Sequence, residues 1–145
     1  MKAFNQRVKK TTITVDGRLV SEIPFGLAVY LGVKVGDTDA MPAAMAKKIA
    51  ALRIFEDGNG KMNLSVRDVG GEVLLISQFT LCGDCSHGNR PSFTAAERPE
   101  RAEPLYRRTA EELSALGVPV KTGIFGADMK IEQYNDGPVT IIYEI

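Results

Sequence analysis

The sequence predicts an α/β fold in which a mixed β-sheet carries two main helices within one compact domain, residues 1–145. Three observations point there. Leu27-Ala28-Val29-Tyr30-Leu31-Gly32-Val33 and Val73-Leu74-Leu75-Ile76 are apolar on successive residues, the pattern of strands covered on both faces. Two other stretches repeat at helical spacing: Met41, Met45, Ile49 and Leu52, then Leu105, Thr109, Leu113 and Leu116. At 145 residues, 44% of them hydrophobic, the chain fits a single core that folds without staples.

Taken in order, Lys2 to Val8 and Thr11 to Val15 read as strand, and Asp16-Gly17 turns the chain into a returning strand from Arg18 to Ile23. The apolar run Leu27 to Val33 takes a central place. Asp37-Thr38-Asp39 offers N-cap candidates, and Pro42 suits the first turn of the first helix. A short strand, Arg53 to Glu56, is followed by the turn Asp57-Gly58-Asn59-Gly60 and the segment Lys61 to Val69, which Gly70-Gly71 closes. The second buried run leaves through Ser77-Gln78-Phe79-Thr80-Leu81 into a long loop reaching about Thr94. Polar residues at the end of a central strand are where ligands gather in α/β proteins. The second helix spans Arg101 to Leu116 with Gly117 as its stop, and Arg107, Arg108, Glu111 and Glu112 face water. Val118 to Phe125, Met129 to Tyr134 and Val139 to Ile145 complete the strands, the last two joined by a turn at Asn135-Asp136-Gly137-Pro138-Val139-Thr140.

Charge and cysteine content narrow the function classes. Eighteen basic and eighteen acidic residues cancel, so a polyanion must be held by local patches. No apolar stretch approaches a membrane span, which excludes a membrane partner of that kind and predicts a cytoplasmic protein. Two cysteines make no disulfide scaffold. Cys82-Gly83-Asp84-Cys85 has the C-x-x-C spacing of redox and zinc sites. Yet only His87 and Asp84 lie near enough to add ligands, and the motif opens a Gly-rich loop instead of a helix, so two free thiols are expected.

The Gly137-Pro138 step is the unusual feature. A cis peptide is cheap only before proline, and Gly137 lets backbone approach a ligand closely. Two adjacent carbonyls held by such a turn suit an α-ammonium; the plain alternative is a hairpin turn.

Ser77-Gln78-Phe79-Thr80-Leu81 and Asn135-Asp136-Gly137-Pro138-Val139-Thr140 together resemble the two signature motifs of the bacterial and eukaryotic D-aminoacyl-tRNA deacylases. Gln6-Arg7-Val8, Asn63-Leu64-Ser65, Arg90-Pro91-Ser92-Phe93 and Phe125-Gly126-Ala127-Asp128-Met129 support the likeness over nearly the whole length. The resemblance implies that family's fold, with barrel-like β layers. It also implies a homodimeric hydrolase that needs no metal or organic cofactor and cleaves the ester joining a D-amino acid, or glycine, to the 3′ end of a tRNA. The Gly-Pro bond would be cis and would reach into the partner's site. There the carbonyls of Gly137 and Pro138 would hold the amino group and leave no room for an L side chain, with Asn135, Phe125 and Met129 as further substrate contacts.

Ester hydrolysis requires an attacking oxygen, proton transfer and oxyanion stabilisation. Thr80 supplies a hydroxyl, but His87, the only histidine, forms no Ser/His/Asp arrangement. The resemblance implies substrate-assisted hydrolysis instead: the 2′-hydroxyl of the terminal adenosine helps activate water, and N–H groups near Gln78 and Phe79 stabilise the oxyanion. Thr80 then orients substrate. Lys9, Lys10, Arg90, Arg98, Arg101, Arg107 and Arg108 are the basic candidates, with Arg90 the choice for a tRNA phosphate. Arg7 is placed against the partner's Gly-Pro turn or in an ordinary surface or dimer ion pair. The rival classes are a non-catalytic RNA-binding module, which needs no Gly137-Pro138 geometry, and a small thiol redox or metal protein dependent on Cys82 and Cys85.

Overall fold

The computed structural model describes residues 1–145. In chain order its elements are β1 (Lys2–Val15), β2 (Arg18–Ile23), β3 (Gly26–Gly32), α1 (Met41–Ala50), β4 (Phe55–Glu56), β5 (Met62–Leu64), β6 (Glu72–Ser77), a 3-10 turn (Phe79–Cys82), α2 (Pro99–Ala115), β7 (Val120–Thr122) and β8 (Lys130–Glu144). β1 organises the sheet. One of its edges pairs antiparallel with β3 through residues 2–8 and with β2 through residues 11–15, and the other carries β8 along nearly its whole length. β3, β6 and β7 continue in parallel. Ser21 Oγ donates to the Thr122 carbonyl at 2.5 Å and Lys121 Nζ to that of Glu22 at 2.7 Å, so β2 bends toward β7 and nearly closes the sheet into a barrel.

Both apolar runs are strands buried on two faces, as predicted. Leu27, Val29, Leu31, Val73 and Leu75 join Met45, Ile49, Leu105 and Leu113 in the core beneath the helices. Ala28, Leu74 and Ile76 turn the other way and meet Val8, Ile13 and Ile23 inside the barrel. Each fully buried aliphatic side chain contributes about 1.5–3 kcal/mol. Both sides of the sheet are therefore held.

The helices differ from expectation only at their ends. α2 begins at Pro99, two residues early, because proline suits a first-turn position that lacks an N–H partner anyway. It stops as predicted: Gly117 has φ +82°, its N–H donates to Ser114 O, and that of Val118 donates to Leu113 O, a Schellman closure. Of the expected water-facing residues, Arg107, Arg108 and Glu111 are exposed and Glu112 is half-buried. α1 has Pro42 in its first turn, but its N-cap is Ala40 with no side-chain cap. Asp37 is taken elsewhere, accepting from the Met1 ammonium at 2.7 Å and from the Lys34 N–H at 2.7 Å. A buried carboxylate gains more from a charge-assisted pair than from capping.

Three strand expectations are corrected. β4 and β7 are short pieces of the strands expected at Arg53–Glu56 and Val118–Phe125, and the segment Lys61 to Val69 holds only the short strand β5. β1 does not break at Lys9-Lys10; Val8 faces Asn135 and Lys10 faces Tyr134, so Lys9 is a one-residue bulge. Most consequentially, Asn135–Thr140 does not join two strands that pair with each other. Both halves pair with β1, and Asp136 to Val139 bulge out opposite the single residue Arg7. No helix is long and apolar enough to cross a membrane.

Candidate active site

The parallel β3–β6 pair ends at Leu31 and Ser77, and the chain there turns immediately into 3-10 geometry. The expected strand end at Ser77–Leu81 is thus a strand terminus plus a tight turn. A cleft of about 590 Å³ opens beside it, lined by Ser77, Gln78, Phe79, Phe125 and Met129 among the predicted residues. Phe93, Glu97, Tyr106 and Asp128, which sequence reasoning did not single out as site residues, also line it. Tyr106 sits within the helical stripe of α2 and looks like ordinary core. Its hydroxyl donates to Leu75 O at 2.8 Å, pinning α2 to β6 two residues before Ser77. Burial pushes its phenol up to about 12, so it stays protonated at any physiological pH.

Backbone donors are partly spoken for. The Gln78 N–H donates to Leu31 O at 2.9 Å, extending the ladder, so it is not free for an oxyanion. The first N–H of the turn to reach an i−3 carbonyl is that of Leu81, bonded to Gln78 O at 3.4 Å. Those of Phe79 and Thr80 precede it and have no partner of that kind within the turn. Gln78 Nε2 donates to Thr80 Oγ1 at 2.5 Å. Thr80 itself is exposed and lies just outside the cleft lining. His87 bonds Ser86 through Nδ1 at 2.8 Å, in an exposed loop, and reaches no threonine hydroxyl.

The second motif lies elsewhere. Ser77 faces Leu31, Leu31 faces Ala3, and Ala3 faces Tyr143; the Asp136–Val139 bulge lies opposite Arg7, which faces Leu27, which faces Val73. Four residues and three strands separate them, about 20 Å along the sheet at ~3.3 Å per residue and ~4.8 Å per strand. Within the bulge, the Gly137-Pro138 peptide is cis and Gly137 has φ +125°. A Cβ at 137 would come within 2.8 Å of Val139, so only glycine fits there.

Arg7, 6% exposed, holds this bulge from beneath. Its Nε lies 3.2 Å from the Asp136 carbonyl and 3.2 Å from Asp136 Oδ2, while Nη1 donates to Ile54 O at 2.7 Å. Of the two placements expected for Arg7, the ion pair is the one seen, made with Asp136 of its own chain's Gly-Pro turn. Asn5 grips the far side: wholly buried, its Nδ2 donates to Ile141 O at 3.1 Å. On the other face Gln133 Nε2 donates to Asn135 Oδ1 at 2.5 Å and to Gln6 Oε1 at 2.7 Å, and Gln6 Nε2 donates to Thr140 Oγ1 at 3.2 Å. Asn135 is therefore occupied in framing the turn. Asn5 and Gln133 carry no sequence signal beyond polarity inside a strand.

Arg90 is exposed in a loop closed by paired Asp84 and Ser92, and like Arg98 it makes no ion pair. Lys9, Lys10, Arg101, Arg107 and Arg108 each face a carboxylate. Cys82 is buried with Sγ 3.6 Å from Val33 O, and burial raises its thiol pKa; Cys85 is exposed, and both are free. No three His, Cys, Asp or Glu side chains cluster as metal ligands.

The chain is a barrel-like α/β fold with a cleft at a strand terminus and a rigid backbone bulge at the opposite end of the sheet. Residues 5–144 match the family described as D-Tyr-tRNA(Tyr) deacylase, and the chain belongs to that family. It is 52% identical over 144 residues, 99% of each chain, to a D-aminoacyl-tRNA deacylase of Halalkalibacterium halodurans. It is 56% identical to one from Persephonella marina, over 99% of this chain and 97% of that one. Among solved structures it resembles a c-Myc DNA Unwinding Element Binding Protein, with TM-score 0.93 and 43% identity over 100% of this chain and 99% of the other. It shares the fold, at TM-score 0.86 and 17% identity, of a probable eukaryotic D-amino acid tRNA deacylase, over 99% of this chain and 98% of that one.

Proposed function

We propose that this chain, a D-aminoacyl-tRNA deacylase by family, hydrolyses the ester of a D-amino acid or glycine at the tRNA 3′ end and spares L-aminoacyl-tRNA. Its sites form between two subunits, Ser77 to Thr80 of one facing Gly137-Pro138 of the other, in the cytoplasm where charged tRNA is used. One observation carries this reading. The two motifs, each placed on rigid backbone, lie at opposite ends of the sheet, about 20 Å apart along it, and a second copy would bring the bulge of one chain to the cleft of the other. β8 supports that arrangement: it is a 15-residue strand paired on one edge only, with Tyr134 and Ile142 largely exposed. Such an edge invites a partner.

The chemistry then follows from the residues. The carbonyls of Gly137 and Pro138 accept hydrogen bonds from the substrate ammonium, fixing the α-carbon so that an L side chain would collide with backbone. Glycine, having no side chain, is tolerated. Water adds to the acyl carbon, with the adenosine 2′-hydroxyl as proton carrier, and the N–H groups of Phe79 and Thr80 stabilise the oxyanion. Collapse breaks the acyl C–O bond, releasing the amino acid and the tRNA 3′-hydroxyl. Phe125 and Met129 floor the pocket, Arg90 meets a phosphate, and Thr80, held by Gln78, orients substrate.

Chelator-treated protein incubated with matched D- and L-aminoacyl-tRNA tests the reading. Selective loss of the D-ester is expected. Equal hydrolysis of both, or of neither, would contradict it.

A further inference from the structure

Two phenylalanine rings stand open at the mouth of the cleft. Phe79 is 57% exposed and Phe93 37%, and they meet edge to face with centroids 5.2 Å apart. Leaving such rings in water forgoes stabilisation that core phenylalanines supply, so an exposed pair beside a cleft points to a ligand. Phe93 is also rigidly seated. Asp84 and Ser92 exchange N–H···O bonds at 2.8 Å just before it, and Val35 N–H to Ala95 O and Glu97 N–H to Val33 O, each 3.0 Å, tie the chain just after it. Its ring rests on Gly83, where a Cβ would come within 2.9 Å of Phe93 Cε1. A ring fixed in this way loses little entropy when something stacks on it.

We propose that Phe93, buttressed by the edge of Phe79, is a stacking subsite for the nucleobase that precedes the terminal adenosine of the tRNA. This rests on the D-aminoacyl-tRNA reading above. A cleft of about 590 Å³ suits one aminoacyl nucleoside, so the preceding nucleotide must leave through the mouth, past these rings. Single-stranded RNA ends are commonly gripped by stacking on aromatic side chains, which tolerates any base and so needs no hydrogen-bond readout. The charges agree on the path. Glu97 and Asp128 line the cleft and repel a phosphate from its interior, whereas Arg90, unpaired and three residues before Phe93, offers a cation outside it.

The test compares two short substrates, a D-aminoacyl-adenosine and a D-aminoacyl-CCA trinucleotide, with the wild-type protein, Phe93→Leu and Phe93→Tyr. Leucine keeps the apolar bulk and removes the π face. Phe93→Leu is expected to lose about five- to a hundredfold more kcat/KM on the trinucleotide than on the adenosine ester, mostly through KM, and Phe93→Tyr to recover it. Equal losses on both substrates, or none on either, would overturn the subsite even while the wild type cleaves D-esters. A change of oligomeric state in Phe93→Leu would also overturn it, assigning the rings to a subunit contact. If the wild type cleaves neither D-ester, the parent reading falls as well.

Discussion

Arg7 anchors the four-residue bulge at Asp136 with one guanidinium. The planar fork reaches the carbonyls of Asp136 and Ile54 and the Asp136 carboxylate together, a geometry that a lysine ammonium cannot reproduce. Arg7→Lys should therefore cost roughly 1–3 kcal/mol in urea denaturation and narrow the D/L rate ratio, since the Gly137-Pro138 carbonyls lose their brace. An unchanged ratio would show that the bulge holds itself. Thr80 presents the opposite case, a hydroxyl with one amide donor and no base. Thr80→Ala should lower kcat by only about fivefold, the worth of one ~1 kcal/mol hydrogen bond. Abolished turnover with intact tRNA binding, or an acyl-Thr80 adduct, would make it the nucleophile.

Among the elements, those whose signals are local were legible. α2 announced itself through its apolar stripe and Gly117, and β3 and β6 through unbroken apolar runs. β8 was not, because Asn-Asp-Gly-Pro is turn chemistry and nothing local reveals that both flanks pair with β1. Asp37 was misplaced for a similar reason, its partner being the amino terminus, 36 residues away. The Ser77–Leu81 segment was recognisable as a motif, but Asn5, Gln133 and Tyr106 were not, since their contacts are with neighbours distant in sequence. Local turn chemistry also sets an acid limb. Hydrogen bonds from the backbone N–H groups of Lys61 and Asn59 hold the Asp57 carboxyl below its ordinary range, and Ser65 does the same for Asp68. A depressed carboxylate pKa stabilises the fold above the unfolded value and is lost as pH falls through the folded one, so these contributions should fade below about pH 4. The urea midpoint should drop there, and Asp57→Asn should flatten that drop; a midpoint insensitive to pH below 4 would contradict the assignment.

At the scale of the whole molecule, the sheet separates the two motifs and leaves one edge of β8 unpaired, and the proposed function joins them by pairing two copies. A zero net charge fits a partner gripped locally instead of by a broad field, and a shallow salt dependence of tRNA binding is the corollary. Subunit mixing tests the shared site most directly. A Phe79→Pro variant, which removes an oxyanion N–H at the cleft, and a Gly137→Ala variant, which adds a Cβ at the bulge, are each expected to be inactive and are mixed, denatured and refolded together before assay on D-aminoacyl-tRNA. Random pairing would give half mixed dimers, each with one intact cross-subunit site, so about a quarter of wild-type activity should return. A mixture no more active than its two components would contradict a site built from Ser77–Thr80 of one subunit and Gly137-Pro138 of the other.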